Sequence, residues 1–566
     1  MKLNTKQIIL SACIGLAGCA IFSFTKGEDR SFQIAKNLDI LNAAYKELDM
    51  FYVDTIQPEE VIKFGIDAML AQTDPYTMYF PEEDKSLKEM ITGKFGGVGS
   101  YIRFYKKKDR IAIVEPSEGS PAAKIGLKAG DVILEINGKD FKCNGKAPNE
   151  FSDEVSSALR GEPGTLVNLK VERPVQGDTT EIKEFSITRQ TIKTQPVPYY
   201  GMVNDSIGFI SLTTFAVDGC AKDVKKALID LKQQGAKRLV LDLRQNGGGA
   251  LDEAVDIVNL FVPKDLEVVS TRGKIKQAGS IYKTNNEPVD VNIPLAVLVD
   301  GASASASEIC AGALQDLDRA VIIGSRTFGK GLVQIIRELP YNSSMKVTTA
   351  KYYIPSGRCV QAIDYSKRNA DGSLARTPDS LTNVFHTRAG REVRDGGGIR
   401  PDVEIKAERF PNILFYLISD DVIFDYATQY CLAHSTIPAV KNFMLADADF
   451  NEFKEMVKKR KFTYDRQSEK ILKDLKDVAE FEGYMDGAKE EFAALEKKLS
   501  HNLDKEMDRF KKEIKDAIAH EIIKRFYYQR GDIEYQLKDD PDLKEALKIL
   551  NDPSRYQELL EQPKKK

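Results

Sequence analysis

The segment between residues 300 and 309 has the residue types expected of a serine nucleophile. It reads DGASASASEI and lies between a predicted buried strand, 295–299, and a predicted helix, 306–314. A serine at such a turn is exposed at the end of the strand, and the N–H groups that begin the helix can stabilise an oxyanion. A second interpretation stays open, because serines are good N-caps and Glu308 follows Ser305 by three residues, as in a capping box.

A second segment, Thr327–Gln334, offers a base. It reads TFGKGLVQ, so Lys330 is flanked by Gly329 and Gly331 and has little local side-chain cover. If the rest of the fold buries this lysine, burial disfavours the ammonium form, lowers the pKa and lets the neutral amine accept a serine proton. A lysine in an exposed turn is the alternative. A phosphate-binding loop is excluded, because glycine follows the lysine where serine or threonine is needed.

The histidines argue against a Ser-His-Asp triad. The chain has four, and none precedes residue 386; they are His386, His434, His501 and His520. The triad needs a histidine base, so a lysine is the more economical partner for a nucleophilic serine. A third segment, Asp242–Gly249 (DLRQNGGG), could bring backbone N–H donors to a ligand, although its glycines fit a tight turn equally well.

These three segments belong to an alternation of strands and helices between residues 207 and 405. Apolar runs at 207–212, 238–243, 295–299 and 320–323 predict buried strands, and 224–231, 251–260 and 306–314 predict helices. An order of strand, glycine turn, helix and strand is typical of α/β layers. Residues 93–188 instead combine short strands with glycine turns and two helices, and 410–566 are charged and helical.

The predicted fold class is therefore multidomain, with an α/β core beside β-rich and helical parts. At about 100–200 residues per domain, 566 residues allow several domains. The predicted boundaries are 1–26 for a signal or anchor segment, 27–92 for an N-terminal helical region, 93–188 for the β-rich module, 189–409 for the α/β core and 410–566 for a C-terminal helical region.

The N-terminus predicts export. A short basic stretch precedes an almost wholly apolar run over residues 8–24. Leu16–Cys19 is similar to a bacterial lipobox, which makes Cys19 a lipidation candidate, but the apolar run continues to Phe24. A lipoprotein, an uncleaved anchor and a cleaved signal all remain possible, and each places the body outside the cytoplasm. The five cysteines beyond the N-terminal segment form no CxxC pair and fit free thiols. The net charge of -3 gives no reason to expect nucleic acid.

Together the serine, lysine and DLRQNGGG segments closely resemble the carboxyl-terminal processing peptidases, also called tail-specific proteases. In that family the nucleophile precedes the lysine by 25 residues, which selects Ser305 over Ser303 and Ser307. The resemblance implies a ClpP/crotonase-like core, an orienting role for Gln334, and an oxyanion hole made by the amides of Ala306 and Gly248. A straight strand would separate Lys330 and Gln334 by about 13 Å, so direct contact needs a bend. No metal or cofactor is implied.

The resemblance also makes residues 93–188 a PDZ domain. Its carboxylate-binding loop would be Gly96, Gly97, Val98 and Gly99, whose amides would meet an apolar free C-terminus while the peptide adds a strand. Tyr352–Arg358 and Gly396–Asp402 are further family marks that suggest a structural role. Arg525–Gln529 and Asp540–Leu550 are similar to tail segments of some members, without an evident role.

The sequence thus predicts a serine endopeptidase of the cell envelope, on the periplasmic side. It would be attached to the membrane through its N-terminus and would cut proteins near their C-termini with Ser305, Lys330 and Gln334. A homo-oligomer through the C-terminal helices is possible. Two other classes of protein are alternatives. A silent PDZ scaffold would lack the serine or the lysine, and a crotonase-like acyl-transfer enzyme would need a CoA site and is not expected to carry a PDZ insertion or an export signal.

Overall fold

The computed structural model describes residues 30–82, 87, 93–175, 177, 179–275, 279–368, 373–406, 410–499 and 502–561. The predicted export segment and Cys19 lie outside these ranges. Within them, the structure has no helix with the length and apolar character that a membrane span requires. The chain divides into two compact units, residues 1–83 with 336–347 and residues 84–335 with 348–566.

The first unit is helical and ends in a short strand pairing. Its elements are α1 (30–51), α2 (Pro58–Leu70) and β1 (Met78–Phe80). Strand β1 pairs antiparallel with residues 344–346. Before β1, the buried carboxylate of Asp74 accepts hydrogen bonds from the amides of Tyr76 and Thr77, both at 2.8 Å. The N-terminal region is therefore helical, as predicted, and a turn at Asp74 follows its helices.

The second unit begins with the β-rich module. Its elements are β2 (Lys94–Gly97), β3 (Ser100–Tyr105), β4 (Arg110–Pro116), α3 (Pro121–Lys124), β5 (Val132–Ile136), β6 (Lys139–Asp140), α4 (Pro148–Leu159), β7 (Leu166–Pro174), β8 (Thr180–Thr188) and β9 (Gln190–Lys193). The main sheet has the order β3-β4-β5-β7-β8, with β6 beside β5, while β2 pairs with β9. This last pairing carries the module past residue 188, the boundary predicted from the sequence.

Strand β3 lies at the edge of that sheet, next to helix α4. The rings of Phe104 on β3 and Phe151 on α4 meet edge to face, with centroids 6.3 Å apart. Phe151, Val155 and Leu159 bury one face of α4 in the core of the module. An edge strand leaves main-chain groups available for another strand, so the module is open on the side that β3 and α4 border.

The α/β core follows in the same unit, apart from residues 336–347, which belong to the first unit. Its elements are β10 (Tyr199–Met202), β11 (Ile207–Ser211), α5 (Cys220–Gln233), β12 (Arg238–Asp242), α6 (Leu251–Asn259), β13 (Glu267–Gly273), β14 (Ser280–Lys283), β15 (Leu295–Val299), α7 (Ala306–Asp316), β16 (Val321–Gly324), β17 (Leu332–Glu338), β18 (Ser344–Tyr353), β19 (Val384–His386), β20 (Glu392–Arg394) and β21 (Val403–Glu404). The six-stranded sheet has the order β10-β11-β12-β15-β16-β21 and is parallel except for β10. The predicted α/β core is confirmed.

The C-terminal region is helical, as predicted, and its helices contribute to two separate hydrophobic cores. Its helices are α8 (Asn412–Ser419), α9 (Val422–Ala433), α10 (Asp447–Lys459), α11 (Gln467–Phe481), α12 (Met485–Leu499), α13 (Leu503–Arg509), α14 (Lys511–Gln536), α15 (Pro541–Asn551) and α16 (Pro553–Leu560). Helices α8, α9, α10 and α14 enclose a core of their own. Leu543, Ala546 and Ile549 of α15 instead pack on the sheet of the α/β core. Helices α5, α6 and α7 cover its opposite face, which explains why the strands are apolar on both faces.

The Arg525–Gln529 segment takes part in contacts between the β-rich module and the helical region. Tyr528 interrupts α14 with a φ of 57°, and the amide of the next residue, Gln529, donates to the carboxylate of Glu115 on β4 at 3.1 Å. The Arg525 guanidinium lies 4.8 Å from the ring centroid of Phe424, a residue that packs against Tyr105. The segment therefore joins the helical region to strands β3 and β4 of the module.

An arginine joins the DLRQNGGG segment to the C-terminal helices. Arg244, which follows β12, donates to Asp242 at 2.7 Å, to Asp540 at 2.5 Å and to Asp542 at 2.9 Å. All four side chains are largely buried, with 20% or less of each exposed. Removing one member of such a cluster leaves the others as uncompensated charges.

We therefore expect Arg244→Ala to lower the free energy of unfolding by about 3 kcal/mol, because three carboxylates lose their shared cation. Arg555→Ala is the matched control, since Arg555 is half exposed and pairs with Glu558 one helical turn away; its cost should stay below about 1 kcal/mol. Urea denaturation followed by circular dichroism measures both. Equal stability of the two variants would contradict the role assigned to Arg244.

Candidate active site

Ser305 occupies a strained turn between β15 and α7. Its φ of 57° and ψ of −114° are unusual for a residue with a side chain, and such conformations cost free energy that the surrounding structure must offset. Its amide donates to Glu308 Oε2 at 2.9 Å, whereas its hydroxyl makes no capping hydrogen bond. One half of the capping box is thus present, and the serine hydroxyl is not used for it.

The three serines of this segment differ in what their hydroxyls do. Ser303 and Ser307 are fully buried. The Ser303 hydroxyl donates to the carbonyl of Leu243 and the Ser307 hydroxyl to that of Asn246, each at 2.8 Å. Ser305, between them, is partly exposed. The two flanking serines therefore attach the turn to the DLRQNGGG segment, while the middle one faces outward.

Lys330 lies in the loop between β16 and β17 and is half buried. The glycines on either side let this loop approach residues 359–362 closely. A Cβ on Gly329, whose φ is 90°, would lie 2.4 Å from the Cβ of Ala362, and one on Gly331 would lie 2.8 Å from the amide of Gln361. The glycines thus permit close packing of the loop that carries Lys330. Gln334, on β17, is half buried, and its Nε2 donates to Thr348 Oγ1 at 3.0 Å.

Glu308 joins the serine and lysine loops. Its fully buried carboxylate accepts from the amides of Ser305, at 2.9 Å, and Lys330, at 2.8 Å, on one and the same oxygen, Oε2. The other oxygen accepts from the Gly329 amide at 2.8 Å and the Thr327 hydroxyl at 2.6 Å. Burial raises the pKa of Glu308 to about 7, and these four donors oppose that shift.

From the sequence, Glu308 is expected only in a helix cap. Its position three residues after Ser305 was the available signal, and it revealed the bond to the serine amide. The contacts with Thr327, Gly329 and Lys330 cross 19 to 22 residues of chain. They depend on β15 and β16 lying side by side in the sheet, which local spacing does not reveal.

The two residues named for an oxyanion hole lie next to the serine. Ala306 begins α7. Gly248 has a φ of 96°, and a Cβ there would lie 2.8 Å from Ser305 Cβ and 2.9 Å from the Ala306 nitrogen, so only glycine fits without displacement. The Gly248 amide donates to Asn246 Oδ1 at 2.9 Å. Asn246 also holds the serine turn, since its carbonyl accepts from the Ala304 amide at 3.0 Å.

The predicted carboxylate-binding loop lies in the β-rich module and comprises the last two residues of β2, Gly96 and Gly97, and the two that follow, Val98 and Gly99. A Cβ on Gly96 would lie 2.0 Å from the carbonyl oxygen of Gly161, and Gly99 has a φ of 73°. The Val98 carbonyl accepts from the amide of Ala122 at 2.9 Å. Close backbone contact explains why residue 96 is glycine, and a left-handed conformation explains why residue 99 is glycine.

Comparisons with known proteins agree with this architecture. The family model for peptidase family S41 matches residues 206–366, a PDZ domain model matches 113–173, and the model "Probable PDZ-protease, C-terminal helical domain" matches 413–550. A probable CtpA-like serine protease of Staphylococcus aureus (strain N315) is 33% identical over 394 residues, 68% of this chain and 69% of the relative. A carboxy-terminal-processing protease of Bartonella bacilliformis is 36% identical over 345 residues, 60% of this chain and 75% of the relative.

Among solved structures, the photosystem II D1 C-terminal processing protease is similar to this chain. The two share 26% sequence identity with a TM-score of 0.36, over 65% of this chain and 87% of the other.

The geometry of Glu308 gives a test. We expect Glu308→Gln to lower kcat at least tenfold, because an amide offers one acceptor oxygen where the carboxylate offers two, so one pair of donors would face an NH2 group. Glu253→Gln is a matched control: Glu253 also accepts from two backbone amides, those of Gly219 and Ala221, outside this site. A steady-state assay on a peptide substrate measures both. An equal loss of kcat in the two variants would contradict a specific role for Glu308 in the active site.

Proposed function

The chain belongs to peptidase family S41 and is a serine-type peptidase with a PDZ domain, and we propose that it cleaves proteins near their C-termini with Ser305 and Lys330. One observation carries the assignment: the amides of Ser305 and Lys330 share a single oxygen of Glu308. That shared acceptor keeps the two loops together, with the Ser305 hydroxyl outside the helix cap and partly exposed. This arrangement supports the proposal, because covalent catalysis needs a nucleophile and a base on segments that are held close together.

The proposed reaction is acyl transfer in two steps. Neutral Lys330 takes the proton from Ser305 Oγ, which attacks the scissile carbonyl and forms a tetrahedral intermediate. Protonated Lys330 then gives that proton to the leaving amine as the C–N bond breaks. A water molecule, deprotonated by Lys330, attacks the acyl-enzyme, and the proton returns to Ser305 as the acid product leaves.

The oxyanion of both intermediates is assigned to the amides of Ala306 and Gly248. Ala306 begins a helix, so its N–H adds the favourable end of the helix dipole. The Gly248 amide serves the oxyanion after turning away from Asn246, and such bonds commonly form only when substrate is bound. Gln334 is assigned to Lys330, since its side-chain carbonyl can accept from the amine while its nitrogen donates to Thr348.

Tail recognition is assigned to the open side of the PDZ domain. The peptide adds as a strand to β3, its apolar end packs between Ile102 on β3 and the face of α4, and its carboxylate meets the amides of Gly96, Gly97, Val98 and Gly99. Support comes from the edge position of β3 and from the Phe104–Phe151 contact, which orients one face of β3 toward α4.

Attachment is assigned to the N-terminal segment. Lipidation at Cys19 or an uncleaved apolar anchor would keep the enzyme in the cell envelope, on the periplasmic side. The substrates are proteins with apolar free C-termini, and the C-terminal helices are the proposed surface for a homo-oligomer. The proposed oligomer surface is supported by an apolar row on α11. This row includes Ile471, Leu475 and Val478, and each of these side chains is about half exposed or more.

We expect Ser305→Ala and Lys330→Ala to lower peptide cleavage at least a thousandfold, because each removes a group that makes or breaks a bond. Ser307→Ala is the control: its hydroxyl is buried against Asn246, whose carbonyl keeps a second donor, so activity should stay within about tenfold. Mass spectrometry of a cleaved protein substrate measures all three. Full activity of the Ser305 or Lys330 variant would refute the assignment.

For the tail, we expect a substrate with an amidated C-terminus to show a KM about tenfold higher, with kcat unchanged, because the loop amides lose their carboxylate partner. Ile102→Asp should raise KM for the free-acid substrate similarly. Tyr101→Asp is the control, because Tyr101 is on the same strand and is 54% exposed. If amidation of the substrate C-terminus left KM unchanged, the proposal that the Gly96–Gly99 loop binds the tail carboxylate would be contradicted.

A further inference from the structure

Tyr352 contacts both loops of the proposed active site. It lies on β18, and 1% of its surface is exposed. Its amide donates to the carbonyl of Gly331, the residue after Lys330, at 3.0 Å. Its hydroxyl donates to the carbonyl of Ser305 at 3.2 Å. Tyr352 therefore connects the lysine loop to the nucleophile. Its backbone amide binds the carbonyl of Gly331, and its side chain binds the carbonyl of Ser305.

The bond to Ser305 fixes more than the serine. The Ser305 C=O and the Ala306 N–H belong to one peptide unit, which is planar and trans, so the two groups point in opposite directions. Any rotation of this unit moves the carbonyl and the N–H together. The Ile309 amide also donates to this carbonyl, at 2.9 Å, as the first hydrogen bond of α7. Two donors thus hold the orientation of the peptide unit that carries the proposed oxyanion donor.

We infer that Tyr352 is a positioning residue for the oxyanion hole, which aims the Ala306 N–H by holding the Ser305 carbonyl. The inference rests on the proposed function, since it needs Ser305 as nucleophile and Ala306 as donor. An oxyanion donor acts mainly in the transition state, where charge develops on the substrate oxygen. Loosening its direction therefore reduces kcat and leaves substrate binding in the ground state unchanged.

The hydroxyl can serve as a donor over the whole working pH range. Burial raises the pKa of Tyr352 well above its ordinary value, and the nearby Glu308 and Cys359 act in the same direction. Removal of the hydroxyl should accordingly lower activity by the same factor at every pH. A change in the pH profile would point to an effect on Lys330 or Glu308 instead.

The test is Tyr352→Phe, which keeps the ring in the core and removes the hydroxyl alone. We expect kcat to fall about tenfold, with KM within about twofold, because the Ile309 bond still holds the carbonyl. Removal of an oxyanion donor outright costs about 10²–10³ in kcat. The affinity for a peptide boronic acid, whose tetrahedral adduct places an oxygen in the oxyanion hole, should fall by the same factor as kcat. A merely structural role would not produce that match.

Tyr353→Phe is the matched control. Tyr353 is the neighbouring residue, its ring lies 4.2 Å from the Arg272 guanidinium, and it is half buried; its kcat should stay within about twofold. Melting temperatures establish folding first, and Tyr352→Met, an adaptable side chain of similar size without a hydroxyl, replaces the Phe variant if that one does not fold.

Unchanged kcat in Tyr352→Phe would overturn the inference. So would an equal loss in Tyr353→Phe, or a loss of kcat without a matching loss of boronate affinity. Ser305→Ala is assayed in parallel. If it retains cleavage, the proposed function itself fails, whatever Tyr352→Phe shows.

Discussion

The buried carboxylate of Glu308 is the interaction on which the proposed active site depends. Two loops that are distant in sequence must place a hydroxyl and an amine close together, and neither loop is held by regular secondary structure at that point. Glu308 accepts four hydrogen bonds from them, two on each oxygen. A buried carboxylate is costly unless its lone pairs are satisfied, so the site is assembled only when both loops are in place. Assembly of the site and satisfaction of the buried charge are therefore one event.

The sheet makes that convergence possible. Strands β12, β15 and β16 are adjacent and parallel, so the loops that leave their carboxyl ends meet at one edge. The first loop carries Gly248, the second Ser305 and the third Lys330. The flanking serines secure the arrangement: Ser303 and Ser307 donate to carbonyls of the first loop about 60 residues away in sequence. The repeated serines of this segment thus have different tasks, two structural and one assigned to chemistry.

Much of this architecture could be predicted, and what could not has a common physical cause. Apolar runs and glycine turns predicted the α/β core, the segment types pointed to a Ser-Lys pair, and the family resemblance selected Ser305. Local spacing could not choose among the three serines, because the choice depends on partners at Leu243 and Asn246. Glu308 read as a helix cap for the same reason. The helical periodicity of α15 likewise gave no sign that its apolar face covers the sheet of the α/β core. In each case the deciding contact joins segments that are far apart in the chain.

The conformation of Ser305 shows how these long-range contacts offset local strain. A left-handed backbone at a residue with a side chain costs on the order of 1–3 kcal/mol. Here the amide of Ser305 donates to Glu308, and its carbonyl accepts from both Ile309 and Tyr352. At roughly 1 kcal/mol for each hydrogen bond, the three together are of the size needed to hold the turn. Only one of them, from Ile309, is an ordinary helical bond. The strained turn is thus stabilised by side chains from its own helix and from a distant strand, which leaves the serine hydroxyl outside the network that holds its backbone.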